Sequence, residues 1–192
     1  MADDLHVPGF IDQPASIVKR LPPMEQAIFR LNATDDLSYA EISRRLGIDI
    51  PAIMEFLTEA LILLDAIRCG EEPQRTASPI RQRADASLRA RYRIYSENRL
   101  RERGFATPIS WRPDEDEDRT VSRVIFESLS PTDLETFLLN RVDGLSYVEI
   151  AKAMGTFQWM VRRRMARVIA VICRGYCSFY DWLIALGRNP EA

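Results

Sequence analysis

An all-α protein is expected, with two helix-turn-helix units joined by a long arginine-rich helix and an acidic linker. Three observations predict it: an ungapped internal repeat, a serine capping box that recurs in both copies, and apolar residues at helical spacing. Sliding the chain by 108 residues aligns LPPMEQAIFRLNATDDLSYAEISRRLG, Leu21 to Gly47, with LSPTDLETFLLNRVDGLSYVEIAKAMG, Leu129 to Gly155. Identities include Pro23 with Pro131, Phe29 with Phe137, Leu37-Ser38-Tyr39 with Leu145-Ser146-Tyr147, Glu41-Ile42 with Glu149-Ile150, and Gly47 with Gly155. The predicted divisions are a tail over 1–16, a diverged first unit over 17–70, a connecting region over 71–118, a second unit over 119–175, and an apolar tail over 176–192.

Within each copy, a proline in the first turn suits a helix start, because its missing N–H costs nothing there. Acids follow, where the helix dipole favours them. After an aspartate-containing break, Ser38 and Ser146 are good N-caps, and Glu41 and Glu149 stand where a capping box needs them. The capped helix carries Tyr39, Ile42 and Leu46, or Tyr147, Ile150 and Met154, on one face. Gly47 or Gly155 then ends it, since glycine takes the left-handed conformation at little cost. A tight turn and a longer helix complete the helix-turn-helix plan, which a generic helical hairpin shares in part.

The third helices differ in charge. The second copy's helix, TFQWMVRRRMARVIAVIC from Thr156 to Cys173, places Arg162, Arg163, Arg164 and Arg167 in its early turns. Arginine suits both phosphate contact and bidentate reading of guanine. Two readings fit: contact with duplex DNA, or an arginine cluster that is solvated or faces a partner protein. Phe157 and Trp159 are unusual at such a helix entrance. The first copy's helix, IDIPAIMEFLTEALILLDAI from Ile48 to Ile67, holds no lysine or arginine, and its acids repel phosphates. Its apolar residues exceed one face, so burial on nearly all sides is expected, within the chain or at a partner. Ile53, Phe56, Leu57 and Leu61 are the candidates for a protein interface.

Between the copies, Glu71 to Ser78 is a polar, proline-containing linker, and Pro79 opens a helical stretch. Leu88, Tyr92, Tyr95 and Leu100 share one face, while Arg81, Arg83, Arg89, Arg91, Arg93 and others cover the rest. These arginines read equally as a second nucleic-acid footprint or as a solvated surface whose stems shield the apolar face. Gly104 stops the helix. The acidic run from Asp114 to Asp118 either folds back on the basic helix, competing with DNA, or is a solvated linker. Arg119 to Leu129 leads into the second unit with Val121, Val124, Ile125 and Leu129 inward. The closing GYCSFYDWLIALG is apolar and aromatic, so Phe179 and Trp182 dock on the chain's own core or support a homodimer.

The apolar fraction of 46% and charged fraction of 28% suit a folded, soluble chain. No run of apolar residues is long enough to span a membrane, and the acidic N-terminus lacks the order of a secretory signal, so a cytoplasmic location is expected. Cys69, Cys173 and Cys177 are too few for a disulfide framework. With one histidine, His6, in the tail, no metal or cofactor is expected, and the thiols read as buried apolar groups. A phosphate-binding glycine loop and a serine, histidine and acid combination are both missing, so binding rather than catalysis is expected.

The stretch Asp143-Gly144-Leu145-Ser146-Tyr147-Val148-Glu149-Ile150-Ala151 resembles region four of bacterial sigma-70 family factors, especially the extracytoplasmic-function type. The first copy resembles it more loosely. The resemblance implies two sigma region 4-like modules and a bacterial transcription regulator binding promoter-like duplex DNA. By the family's alignment, Gln158, Trp159, Met160, Arg162, Arg163 and Arg164 would face that duplex, with Arg167 beyond them. It also implies RNA polymerase or an anti-sigma factor as a protein partner. A different class of function, mimicry of region four without reading DNA, fits the acidic first copy.

Overall fold

The computed structural model describes residues 17–72 and 74–189, so the expected tail through residue 16, with His6, lies outside them. Among the described residues the regular structure is helical, with no strand. Helices α1 to α9 are Pro23–Ala33, Tyr39–Leu46, Ile50–Arg68, Pro79–Glu102, Glu117–Glu127, Pro131–Arg141, Tyr147–Ala153, Gln158–Gly175 and Phe179–Arg188. No single described helix is long and apolar enough to cross a membrane.

Two compact units emerge: one runs through Ser87 and resumes at Leu183, and the other is Leu88–Trp182. This differs from the sequence-based division, which set 71–118 apart as a connecting region. The opening of α4 belongs to the first unit and its remainder to the second.

Helices α1, α2 and α3 form a series whose starts recur 108 residues later in α6, α7 and α8. Local chemistry recurs at the same offset. Ser38 and Ser146 each accept a bond from the backbone of the glutamate three residues on, and Glu41 and Glu149 accept in return from the serine N–H at 3.0 and 2.8 Å. Those bonds hold both glutamate carboxyls below their usual range. The side-chain amides of Asn32 and Asn140 donate to Leu37 and Leu145 carbonyls at 2.9 and 2.8 Å, closing the break before each capped helix. Gly47 and Gly155 turn with φ of 65° and 59°. A side chain there would strain the helix stop.

The first unit buries Ile28, Leu31, Ile42, Leu46, Ile53 and Phe56 fully. The end of α9 packs on the same core, where a Cβ on Gly187 would meet Leu31 at 2.5 Å. Arg45 donates to the Gly187 carbonyl at 2.8 Å, and Arg188 pairs with Asp35 at 2.8 Å. In the second unit Phe179 and Trp182 close on Tyr92, with ring centroids 5.3 and 5.6 Å away. These two residues are therefore core, and not the subunit interface entertained from sequence. Cys69 and Cys173 are exposed and Cys177 half-buried, contrary to the expected buried thiols.

Each series hides one carboxylate at the same position of its first helix: Glu25 is 0% exposed and Asp133 4%. Buried charges need partners. Asp133 finds Arg167 of α8, 3.1 Å away. At the matching position α3 carries Glu59, itself buried, so the first unit must neutralise two acids from elsewhere. Arg81 enters from α4, 3.6 Å from Glu25 and 3.3 Å from Glu59, and Arg75 reaches Glu25 at 2.6 Å. Thr76 adds backbone and hydroxyl donors to Glu59, each at 2.7 Å. Burial alone would raise the Glu59 carboxyl, but the Thr76 and Arg81 bonds outweigh it and hold the group below its usual range.

Removing Arg81 takes the shared cation from two buried acids and leaves Glu59 with the neutral Thr76 donors alone. Arg81→Met is expected to destabilise the protein by about 3–5 kcal/mol in chemical denaturation, with part of the loss recovered by adding Glu25→Gln and Glu59→Gln. An unchanged midpoint for the single variant contradicts this role.

Candidate nucleic-acid interface

Helix α8 forms because arginine, methionine and alanine are frequent in it and its inward positions are apolar. Val161, Met165 and Val168 are buried, which fixes the opposite face outward. That outer face carries Trp159, Arg162, Arg163, Ala166 and Ala170, all exposed. Among the described residues, neither Arg162 nor Arg163 has an ion pair or hydrogen bond, so their charge is presented to solvent. Gln158 is exposed beside them, Arg164 is half-buried, and half-buried Met160 receives the Thr156 hydroxyl at 3.2 Å. Arg167 stands apart, since its guanidinium is engaged by Asp133.

The same geometrical face of α3 has opposite chemistry. Pro51, Met54, Thr58, Leu61 and Ile62 lie outward, with Met54 52%, Leu61 59% and Ile62 52% exposed. Glu55 occupies the position matching Arg163. Ile53, Phe56 and Leu57 are buried in the unit's own core, which removes them as interface candidates and leaves Leu61. Burial on nearly all sides, expected from composition, fails along this stripe. A groove of about 650 Å³ borders it, lined by Pro51, Met54, Thr58, Ile62, Ala77 and Pro79.

The arginine-rich helix answers to internal partners. Arg81 is 5% exposed and locked among acids, which corrects its reading as a phosphate contact. Arg89 pairs with Glu117 at 2.6 Å and covers the Phe179 ring at 4.8 Å. Arg93 meets Glu117 at 2.7 Å and lies 5.7 Å from the Trp111 ring, and Arg91 lies 5.9 Å from Trp182. Arg83 is exposed, with its Nε donating to the Pro79 carbonyl at 3.3 Å. Of the acidic run, Glu117 and Asp118 reach this helix, while Asp114 and Asp116 stay exposed and Glu115 pairs with Arg123: Asp118 accepts the Tyr92 hydroxyl at 3.0 Å and the Phe179 N–H at 2.8 Å. Burial raises the Tyr92 hydroxyl and the Asp118 carboxyl above their ordinary values.

Comparison with known families bears on the first unit. Residues 15–64 match the family model of sigma-70, region 4. The match spans α1, α2 and most of α3, so the first unit is similar to a sigma region 4 helix-turn-helix. It falls on the series whose sequence resembles the family more loosely, not on the arginine-bearing one. No curated protein matches the chain, and no solved structure does.

Glu117 is buried, which alone would raise its carboxyl, yet the bonds from Arg93 and Arg89 hold it below the usual range. A carboxylate lowered on folding contributes stability above its unfolded value of about 4.3, and loses it as pH falls through the lower folded value. Glu117→Gln is therefore expected to cost about 1–3 kcal/mol near neutrality and to flatten the acid limb of stability against pH. A variant curve parallel to the parent at all pH would refute this.

Proposed function

We propose that this chain is a sigma-like regulator of bacterial transcription that contacts promoter-like duplex DNA through the outer face of α8. One observation carries the reading: Arg162 and Arg163 stand exposed and without an ionic partner among the described residues, on the third helix of a helix-turn-helix series. Such a helix lies in the major groove with its first residues against base edges. Gln158, Trp159, Met160 and Arg164 are the further residues of that contact, and Arg167 anchors the helix through Asp133. The small Ala166 and Ala170 permit close approach along the rest of the face. We read the two series as diverged copies of one module, because their helix starts, capping boxes, amide-closed breaks and glycine turns recur at one offset.

In the first unit the corresponding face suits a protein. Exposed Met54, Leu61 and Ile62 beside Glu55 neither neutralise phosphate nor offer hydrogen bonds to bases. This favours a second reading for that face, docking of RNA polymerase or an anti-sigma-like partner, with the duplex left to α8. Mimicry of region four without any DNA contact is the rival in which both faces bind protein.

Anisotropy with promoter duplexes at several salt concentrations tests the reading. Arg162→Ala with Arg163→Ala is expected to weaken binding across sequences and to reduce the slope of log affinity against log salt by about 1.8. Met54→Ala with Leu61→Ala is expected to leave DNA affinity unchanged. Absence of binding at low salt, or an unaltered slope in the arginine variant, rejects α8 as the DNA contact.

A further inference from the structure

Phe157 and Trp159 are among the most exposed large apolar side chains described, at 68% and 60%. Their counterparts in the first series are Asp49 and Pro51, so the aromatics are a property of the second unit alone. The Phe157 carbonyl accepts from Met160 and Val161 at 2.9 and 3.2 Å, which fixes the first turn of α8 beneath it. Trp159 lies on the same helix face as Arg162 and Arg163, three and four residues on. Buried Val161 anchors the turn from behind. Trp159 therefore leads the arginine face, with the exposed Phe157 at the N-cap two residues before it.

This arrangement has a chemical counterpart on duplex DNA. The leading residues of a helix in the major groove meet base edges, and there the thymine methyl is the apolar feature among hydrogen-bonding groups. A phenyl ring presents no polar atom, and an indole presents one donor, so neither is equipped to discriminate by acceptor pattern. What they do offer is apolar area that gains by covering a methyl.

Resting on the DNA contact proposed above, we propose that Phe157 and Trp159 are specificity-determining residues that read thymine methyl groups in the major groove, selecting an A·T-containing segment next to the arginine contacts. Each methyl covered adds about fourfold in affinity, the worth of one buried carbon of about 0.8 kcal/mol. The preference belongs to the aromatics, while the salt-dependent part of binding belongs to Arg162 and Arg163.

The full chain is titrated against two labelled duplexes, alternating dA-dT and alternating dA-dU, which differ in the methyl group alone. Binding to the dU duplex is expected to be at least about fourfold weaker, and Phe157→Ala with Trp159→Ala is expected to erase the difference by weakening binding to the dA-dT duplex, with the slope of log affinity against log salt, set by Arg162 and Arg163, unchanged. The exposure of both residues keeps these variants folded, as circular dichroism checks. Equal affinity of the parent chain for both duplexes overturns methyl reading and leaves the proposed function standing. A methyl preference that survives in the double variant overturns the assignment to these residues. Binding to neither duplex at low salt overturns the proposed function and the methyl reading with it.

Discussion

A carboxylate buried on the first helix of each three-helix series must be neutralised from inside, and the two units meet that requirement differently. In the second, Asp133 is matched within the series by Arg167. In the first, Glu59 stands where Arg167 would be, and Glu25 and Glu59 are met by Arg75 from the segment leading into α4 and by Arg81 from its first turn. That segment is consequently held beside α3. It forms one wall of the groove next to Met54 and Ile62. The difference in charge between Glu59 and Arg167 accounts for an arginine of the basic stretch being buried in the first unit.

The same offset organises the outer faces. Glu59 apart, the inward residues of α3 and α8 are apolar in both units, as packing against the first two helices demands, so the outward set is free to diverge. Arg162 and Arg163 correspond to Met54 and Glu55, and Trp159 corresponds to Pro51. One face has positive charge to offer phosphate, and the other has apolar area and an acid. The sigma region 4 match lies on the first unit, while the exposed arginines lie on the second. Division of labour between the two follows as the functional reading.

Much of the fold was legible because its determinants are local. Proline starts, serine boxes and glycine stops lie within a few residues of one another, and the structure places helices where they indicate. For Arg162 and Arg163 the resemblance to region four implied an outward position, and both are exposed. Long-range charge pairing did not. Arg81, Arg89 and Arg93 resemble solvent-facing arginines in their own helix, and their acids are supplied by α1, α3 and α5. A usable signal for Arg81 existed in the repeat alignment, where Glu59 opposite Arg167 announces two acids without a local cation. In α3 apolar residues occur all round, so periodicity alone left Ile53, Phe56 and Leu57 undivided from Leu61. The structure separates them by burying the first three.

Backbone and indole ¹H–¹⁵N spectra of the chain, recorded as promoter duplex is added to saturation, compare the two outer faces in one experiment. The account expects shifts along residues 157–170 and at the Trp159 indole, with residues 50–66 and the buried Trp182 indole unmoved. Shifts confined to α3, or a bound duplex that leaves the Trp159 indole and the α8 amides in place, contradict it.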